Sequence, residues 1–301
     1  MPDPAADPAT DHSPADPTPD RAVYERLALH RPNENRIGSA LITMVEPHVG
    51  HEHAYNRWYE DDHFYSGAMH GPWVFAGRRW VAPRALREMR PEVDDPAVTP
   101  PDAGCYIALY WSTAGHEDDV ERWSFLAMDQ ALMPHGRGFT HRTHVYTAFH
   151  HYRFAAGRPD AAPLQPHVAL DHPFVGLVVE VVDAATVDDQ PDVEAWLADD
   201  HLPAVLARPD FPAALCLAFA PREFTQGLIN QPGTPPVAPT ANVGRRLCLL
   251  WFLDRDPTEV FPAPFATHHA ALADHPRAAL ALSAPFIPTI PGTDTHVDTL
   301  R

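Results

Sequence analysis

The period of the apolar positions changes in a regular order along the chain. Residues 36–46 are an apolar run, I-G-S-A-L-I-T-M-V over 37–45, and predict a strand. Residues 51–69 place Tyr55, Trp58, Tyr59 and Asp62 at i, i+3, i+4 and i+7, one face of a helix, which Gly67 and Gly71-Pro72 stop. Residues 73–81 are rich in aromatic and β-branched types and read as a strand that Pro83 closes. After a charged, proline-rich loop at 84–102 come a strand at 105–112 and a helix at 117–133. That helix has Val120, Trp123, Ala127 and Ala131 on one face, and Pro134 ends it. Residues 139–154 form a long alternating strand with His144, Tyr146, Ala148 and His150 on one side.

The second half replays this order. Strands are expected at 174–182, 213–220, 245–253 and 278–287, helices at 193–206 and 261–273, and a Pro/Gly-rich loop at 225–242. The replay is visible in single residues. Trp196-Leu197-Ala198-Asp199-Asp200-His201 repeats the W-x-x-D-D-H of Trp58 to His63, 138 residues later. Gly38 and Gly176 share that offset, while Trp111 and Trp251, and His135 and His275, are 140 apart. Self-similarity at one period means an internal duplication. Each half reads β-α-β-β-α-β. The expected fold class is therefore α+β: two fused ferredoxin-like (βαββαβ) repeats whose antiparallel sheets cover each other and pack into one α+β barrel. The expected organisation is a disordered tail at 1–20, a first repeat at 21–154 opening with a short helix at 21–30, a linker at 155–173 and a second repeat at 174–301.

Composition narrows the chemistry. A formal net charge of −18 argues against nucleic acid and anionic membranes as partners. No apolar run is long enough to span a bilayer, and no signal pattern opens the chain, so a cytoplasmic protein is expected. Cys105, Cys216 and Cys248 lie in apolar strands without paired spacing and read as buried small hydrophobes. The sequence contains no lysine, which removes Schiff-base chemistry and a P-loop. Its 20 histidines lack a metal pattern. His141 and His144 fall on opposite faces of a strand, and His48, His51 and His53 have no carboxylate or cysteine support, so no metal is expected.

The stretch Asn56-Arg57-Trp58-Tyr59-Glu60-Asp61-Asp62-His63 is similar to the N-x-W-Y-x-x-x-H motif of the EthD-like branch of the dimeric α+β-barrel superfamily. Gly77-Arg78-Arg79-Trp80 resembles that branch's Gly-to-Arg-aromatic strand, and Trp196, His201, Leu202 and Pro203 keep part of the helix motif. The resemblance covers residues 36–290. It implies a cavity for a small hydrophobic, aromatic or polyketide-like molecule. The superfamily holds cofactor-independent oxygenases, isomerases, cyclases and haem enzymes, so the fold leaves the reaction open.

The candidate catalytic group is His63 with Asp62 and Tyr59: an imidazole that can take a proton, a carboxylate to orient it and a phenol to donate. A structural histidine is the competing reading. Arg78 and Arg79 alternate sides on a strand, so that one faces the cleft and binds an anion or else forms a buried ion pair with Asp62. Trp58, Trp80, His144 and Tyr146 complete the expected substrate contacts. The expectation is acid–base chemistry without a cofactor: cyclisation, isomerisation or oxygenation. A non-catalytic binding protein and a haem barrel are the alternatives, with the chain a monomer or a homodimer. The second half has Leu197 for Tyr59 and no Arg-Arg after its second strand, so it is expected to be structural.

Overall fold

The structure is a computed structural model that describes residues 36–159, 162–224 and 240–301. All of them belong to one folding unit, Asn35–Arg301. The expected tail, the helix at 21–30 and nearly all of the loop at 225–242 lie outside the described residues.

Eight strands are present: β1 Ile37–Pro47, β2 Val74–Val81, β3 Tyr106–Thr113, β4 Arg142–Gly157, β5 Gly176–Ala184, β6 Ala213–Pro221, β7 Arg246–Leu253 and β8 Ala278–Pro288. They close into one antiparallel barrel in the order β1-β3-β2-β8-β5-β7-β6-β4. Within each half the order is the same, β4-β1-β3-β2 and β8-β5-β7-β6, so the chain is a fused α+β barrel of two ferredoxin-like repeats. The outer edge of each sheet pairs with the other repeat, which leaves no open strand edge. The two seams are unequal. β4 runs 16 residues and pairs with β6 from His150↔Pro221 to Gly157↔Leu215, whereas β2 meets β8 only at Trp80↔Pro288 and Val81↔Ile287.

One sheet face points inward. Ile42, Met44, Trp80, Trp111, Phe219, Phe252 and Phe286 pack there into a single filled core. Fully burying each such side chain contributes about 1.5–3 kcal/mol. The barrel interior is therefore a core and not a ligand chamber.

The helices cover the other face of each sheet. Helix α1 runs Glu52–Trp58 and continues as a π-helical segment Tyr59–Met69; α2 runs Glu117–Leu126 with a π-helical continuation Ala127–Leu132. In the second repeat α3 is built from Gln190–Ala195, a π-helical Trp196–His201 and Leu202–Leu206, and α4 is Ala263–Asp274. An i→i+5 helix brings residues five apart onto one face. That is why Trp58 and His63 stack at 4.3 Å between ring centroids, and Trp196 and His201 at 4.4 Å. The α-helical spacing that grouped Asp62 with Trp58 does not hold through this segment.

A bulge corrects a second expectation. Tyr146 pairs with Met44 but His144 pairs with Val45, so Val145 is an extra residue in β4. His144 and Tyr146 consequently face opposite sides of the sheet. Tyr146 joins the inner core and His144 points to the helices.

Candidate functional site

A cavity of about 140 Å³ lies between the helix-facing side of the first sheet and helices α1 and α2. Leu41, Val45, Phe125, Met128, Phe149 and Phe224 give it an apolar lining. Its polar groups are Tyr59, His63, Tyr110, Arg142, His144 and the threonines Thr43 and Thr147. β1 alternates inward Ile42 and Met44 with outward Leu41, Thr43 and Val45, so strand periodicity alone sends these three to the cavity.

His63 is set by its helix. The π-helical turn lays the ring on Trp58, and Gly67 packs against its Nδ1 side; a Cβ on Gly67 would lie 2.5 Å from Nδ1. Nδ1 is enclosed and has no hydrogen-bond partner among the described residues. Burial first, and then the positive field of Arg142 and the neighbouring His144, lower its pKa to about 3. At neutral pH the ring is an uncharged imidazole. Nε2 is the nitrogen that Gly67 does not cover, and it is the one left to meet a ligand.

Asp62 does not orient this ring. Its carboxylate turns to Arg137, whose Nε donates at 3.0 Å and whose Nη2 also donates, and it accepts a further bond from Ser66 Oγ. Those bonds hold its pKa down to about 2. Arg137 also presents its carbonyl to Trp58 Nε1 at 2.7 Å, so the chain after α2 pins α1 and its continuation at Trp58 and Asp62. Tyr59 is in the cavity wall, fully buried, and shares a 2.6 Å hydrogen bond with Tyr110 Oη. Burial raises the pKa of both phenols, so both keep their protons at neutral pH.

Neither arginine of the Arg78-Arg79 pair enters the cavity. Arg78 Nη1 donates to the carbonyls of His172 at 2.6 Å and Leu170 at 3.4 Å, Nη2 donates to that of Phe174 at 3.1 Å, and the guanidinium lies over Trp80. Trp80 itself is in the inner core. Arg79 does form a buried ion pair, but with Glu60 at 2.9 Å and not with Asp62, and it donates to Asn56 Oδ1 beneath the Tyr59 ring. The surface hollow beside these arginines, about 600 Å³, is thus lined by cations already bonded to protein.

The cation that does line the cavity is Arg142, which the sequence reading left out. It lies at the first position of β4, 9% exposed, with its guanidinium 4.4 Å from the Trp58 ring centre. Nε donates to His144 Nε2 at 3.2 Å. His144 Nδ1 then donates to Thr147 Oγ1 at 2.9 Å, and Thr147 bonds Thr43 at 2.8 Å. The only sequence signal for Arg142 was its place in H-R-T-H ahead of a long strand, which is no motif.

The second repeat fills the equivalent space. His201 Nε2 donates to His268 Nδ1 at 2.7 Å, and His268 Nε2 donates to Glu180 at 2.7 Å. Glu180 is wholly buried and also accepts from His269, Trp251 and Ser283. Phe211, Trp251 and Phe265 pack around this network.

Among the described residues no group of three His, Cys, Asp or Glu side chains is arranged to hold a metal, and no helix is long and apolar enough to cross a membrane. No family model matches the chain, and no curated protein matches it. Solved structures of similar shape include a mutant of chlorite dismutase from Candidatus Nitrospira defluvii, at 11% identity, covering 92% of this chain and 99% of that one, TM-score 0.42. A variant of DypB from Rhodococcus jostii RHA1, solved in complex with heme, matches at 13% identity over 84% and 93%, TM-score 0.45. An anthrone oxidase-like protein matches at 8% over 85% and 92%, TM-score 0.43. Likeness at this level carries no chemistry, which rests on the residues themselves.

Proposed function

We propose that the first repeat is a cofactor-independent acid–base enzyme that binds a small apolar molecule between its sheet and helices. The carrying observation is His63: a neutral imidazole without a hydrogen-bond partner among the described residues, beside a phenol pair, in an apolar cavity. In this reading an acidic C–H or O–H of the bound molecule breaks and its proton moves to Nε2 of His63. The electron pair stays on the substrate as an oxyanion or enolate, and the Tyr59–Tyr110 pair offers an O–H to it. The similarity of Asn56 to His63 to the EthD-like motif supports the same placement. A volume of about 140 Å³ admits roughly one aromatic ring, since a cavity of about 150 Å³ binds benzene. A polyketide-sized substrate requires the helices to move apart.

Haem does not fit. The cavity is far below the usual 300–1,000 Å³ of cofactor pockets, His63 is stacked on Trp58, and His201 is bonded to His268. A ligand-binding role without turnover is favoured by one observation, the low proton affinity of His63 in the free cavity.

Deuterium uptake separates the two. Small β-dicarbonyls incubated with the protein in D₂O should exchange their α C–H hydrogens faster than in buffer. His63→Ala should remove about 10²–10⁴-fold of that acceleration with the fold intact by circular dichroism. Binding without acceleration supports the non-catalytic role, and acceleration that survives His63→Ala sinks the assignment.

A further inference from the structure

We infer that the cavity is built for an anion, a small apolar molecule carrying a carboxylate or an ionised hydroxyl, and that Arg142 is its anchor. This rests on the reading of the cavity as the ligand site and names the class of ligand it takes.

The argument is one of unbalanced charge. Buried guanidinium groups are ordinarily paired, because desolvating a cation costs several kcal/mol. Elsewhere the enclosed guanidinium groups meet oxygen: Arg79 faces Glu60, Arg246 faces Asp183 and Arg222 faces Asp118 and Glu121, while Arg78 and Arg90 donate to backbone carbonyls. Arg142 is as buried as these and has no carboxylate partner among the described residues. Its one side-chain acceptor is an imidazole, His144. That imidazole is neutral, for its pKa is lowered to about 3 by burial and by Arg142. Arg142 Nη1 is enclosed with no acceptor among the described residues.

Its surroundings explain why the charge persists. The nearest groups able to carry negative charge are the phenols of Tyr55, Tyr59 and Tyr110, which burial keeps protonated. Trp58 gives its π face, which lowers the cost of the cation without cancelling it. The His144–Thr147–Thr43 chain fixes the guanidinium through Nε, and neither terminal nitrogen has an acceptor among the described residues. A planar fork with spare donors is the group that recognises carboxylate or phenolate oxygen.

The site would also couple binding to base strength. Arg142 is the largest charge effect that disfavours protonated His63. An anion on Arg142 cancels that field, so His63 gains basicity only when the ligand is in place.

The experiment uses the full chain and three probes, benzoate, benzamide and 4-nitrophenol. Calorimetry should give benzoate an affinity about ten- to a hundredfold above its neutral isostere, benzamide. Bound 4-nitrophenol should show the visible phenolate band at a pH where the free compound is neutral. Arg142→Gln, which retains a donor for His144, should abolish both preferences, and Arg142→Lys should keep part of them. Because it removes an uncompensated buried cation, Arg142→Gln should leave thermal stability unchanged or higher. Equal binding of benzoate and benzamide to the wild type overturns the inference and spares the cavity. Unchanged preference in Arg142→Gln overturns it too. Failure of all three probes to bind overturns the reading of the cavity, and this inference with it.

Discussion

Gly67 decides where the His63 ring can lie. The ring occupies the place where any other residue would carry its Cβ, 2.5 Å from Nδ1. Gly67→Ala should therefore push the imidazole off Trp58. Alanine is about 1 kcal/mol better than glycine inside a helix, which offsets the lost contact. Proton exchange is expected to fall more than tenfold while the melting temperature moves little, measured side by side on the same preparation. A parallel loss of stability and exchange would show that Gly67 serves only packing.

At the scale of elements, the cations that the sequence placed in the cleft turn out to fasten one element to another. Arg79 ties β2 to α1 through Glu60 and Asn56, with both charged side chains under a tenth exposed. Removing one member of a buried pair strands the other, so Arg79→Ala should cost about 3–5 kcal/mol in urea unfolding. The pair of Asp62 with Arg137 is about a third exposed and is worth less. Asp62→Asn should cost under about 1 kcal/mol. Its carboxyl is depressed from 3.8 to about 2, so this contribution is present above pH 3.8 and disappears as pH falls through 2. An Asp62→Asn variant that loses all exchange while staying folded would instead put Asp62 in the proton path.

In the whole molecule, the duplication has separated two jobs. The first repeat keeps a cavity against its sheet; the second closes the same space over Glu180 and its histidines. Glu180→Ala leaves His268, His269, Trp251 and Ser283 without their acceptor and should destabilise by about 3–5 kcal/mol. His201→Ala loses one buried hydrogen bond, about 1–3 kcal/mol, and should not alter exchange at the first site. Acid should unfold the barrel in a defined window. His63, His144 and His150 are lowered to about 3 and His201 to about 4, so the unfolded chain binds protons that the folded one refuses. Their contribution is full above pH 6.5 and drains away as pH falls towards 3. Glu180, also depressed, adds a loss below its ordinary range of about 4.5. A melting temperature that stays flat from pH 7 to pH 4 would contradict this.

What the residues alone determined was local and periodic. Strand and helix order, the repeat and the barrel follow from apolar spacing and from W-x-x-D-D-H appearing twice, because burial acts on every element in the same way. His63 and Tyr59 were legible for the same reason, since the motif and its helix are contiguous. Tertiary structure decided the rest. One extra residue, Val145, put Tyr146 in the core and His144 in the cavity. Trp111 pairs with the inward Ala40 and lies inside the barrel, while its sequence counterpart Trp251 pairs with Val178, faces the helices and donates to Glu180. A one-residue slip reverses a strand, and no spacing rule records it. The partners of Arg78, Arg79 and Asp62 come from other segments of the chain, up to 94 residues away. Whether a buried charge is paired is a property of the packed molecule, which is why Arg142, a buried cation without a carboxylate or carbonyl partner among the described residues, became visible only in the fold.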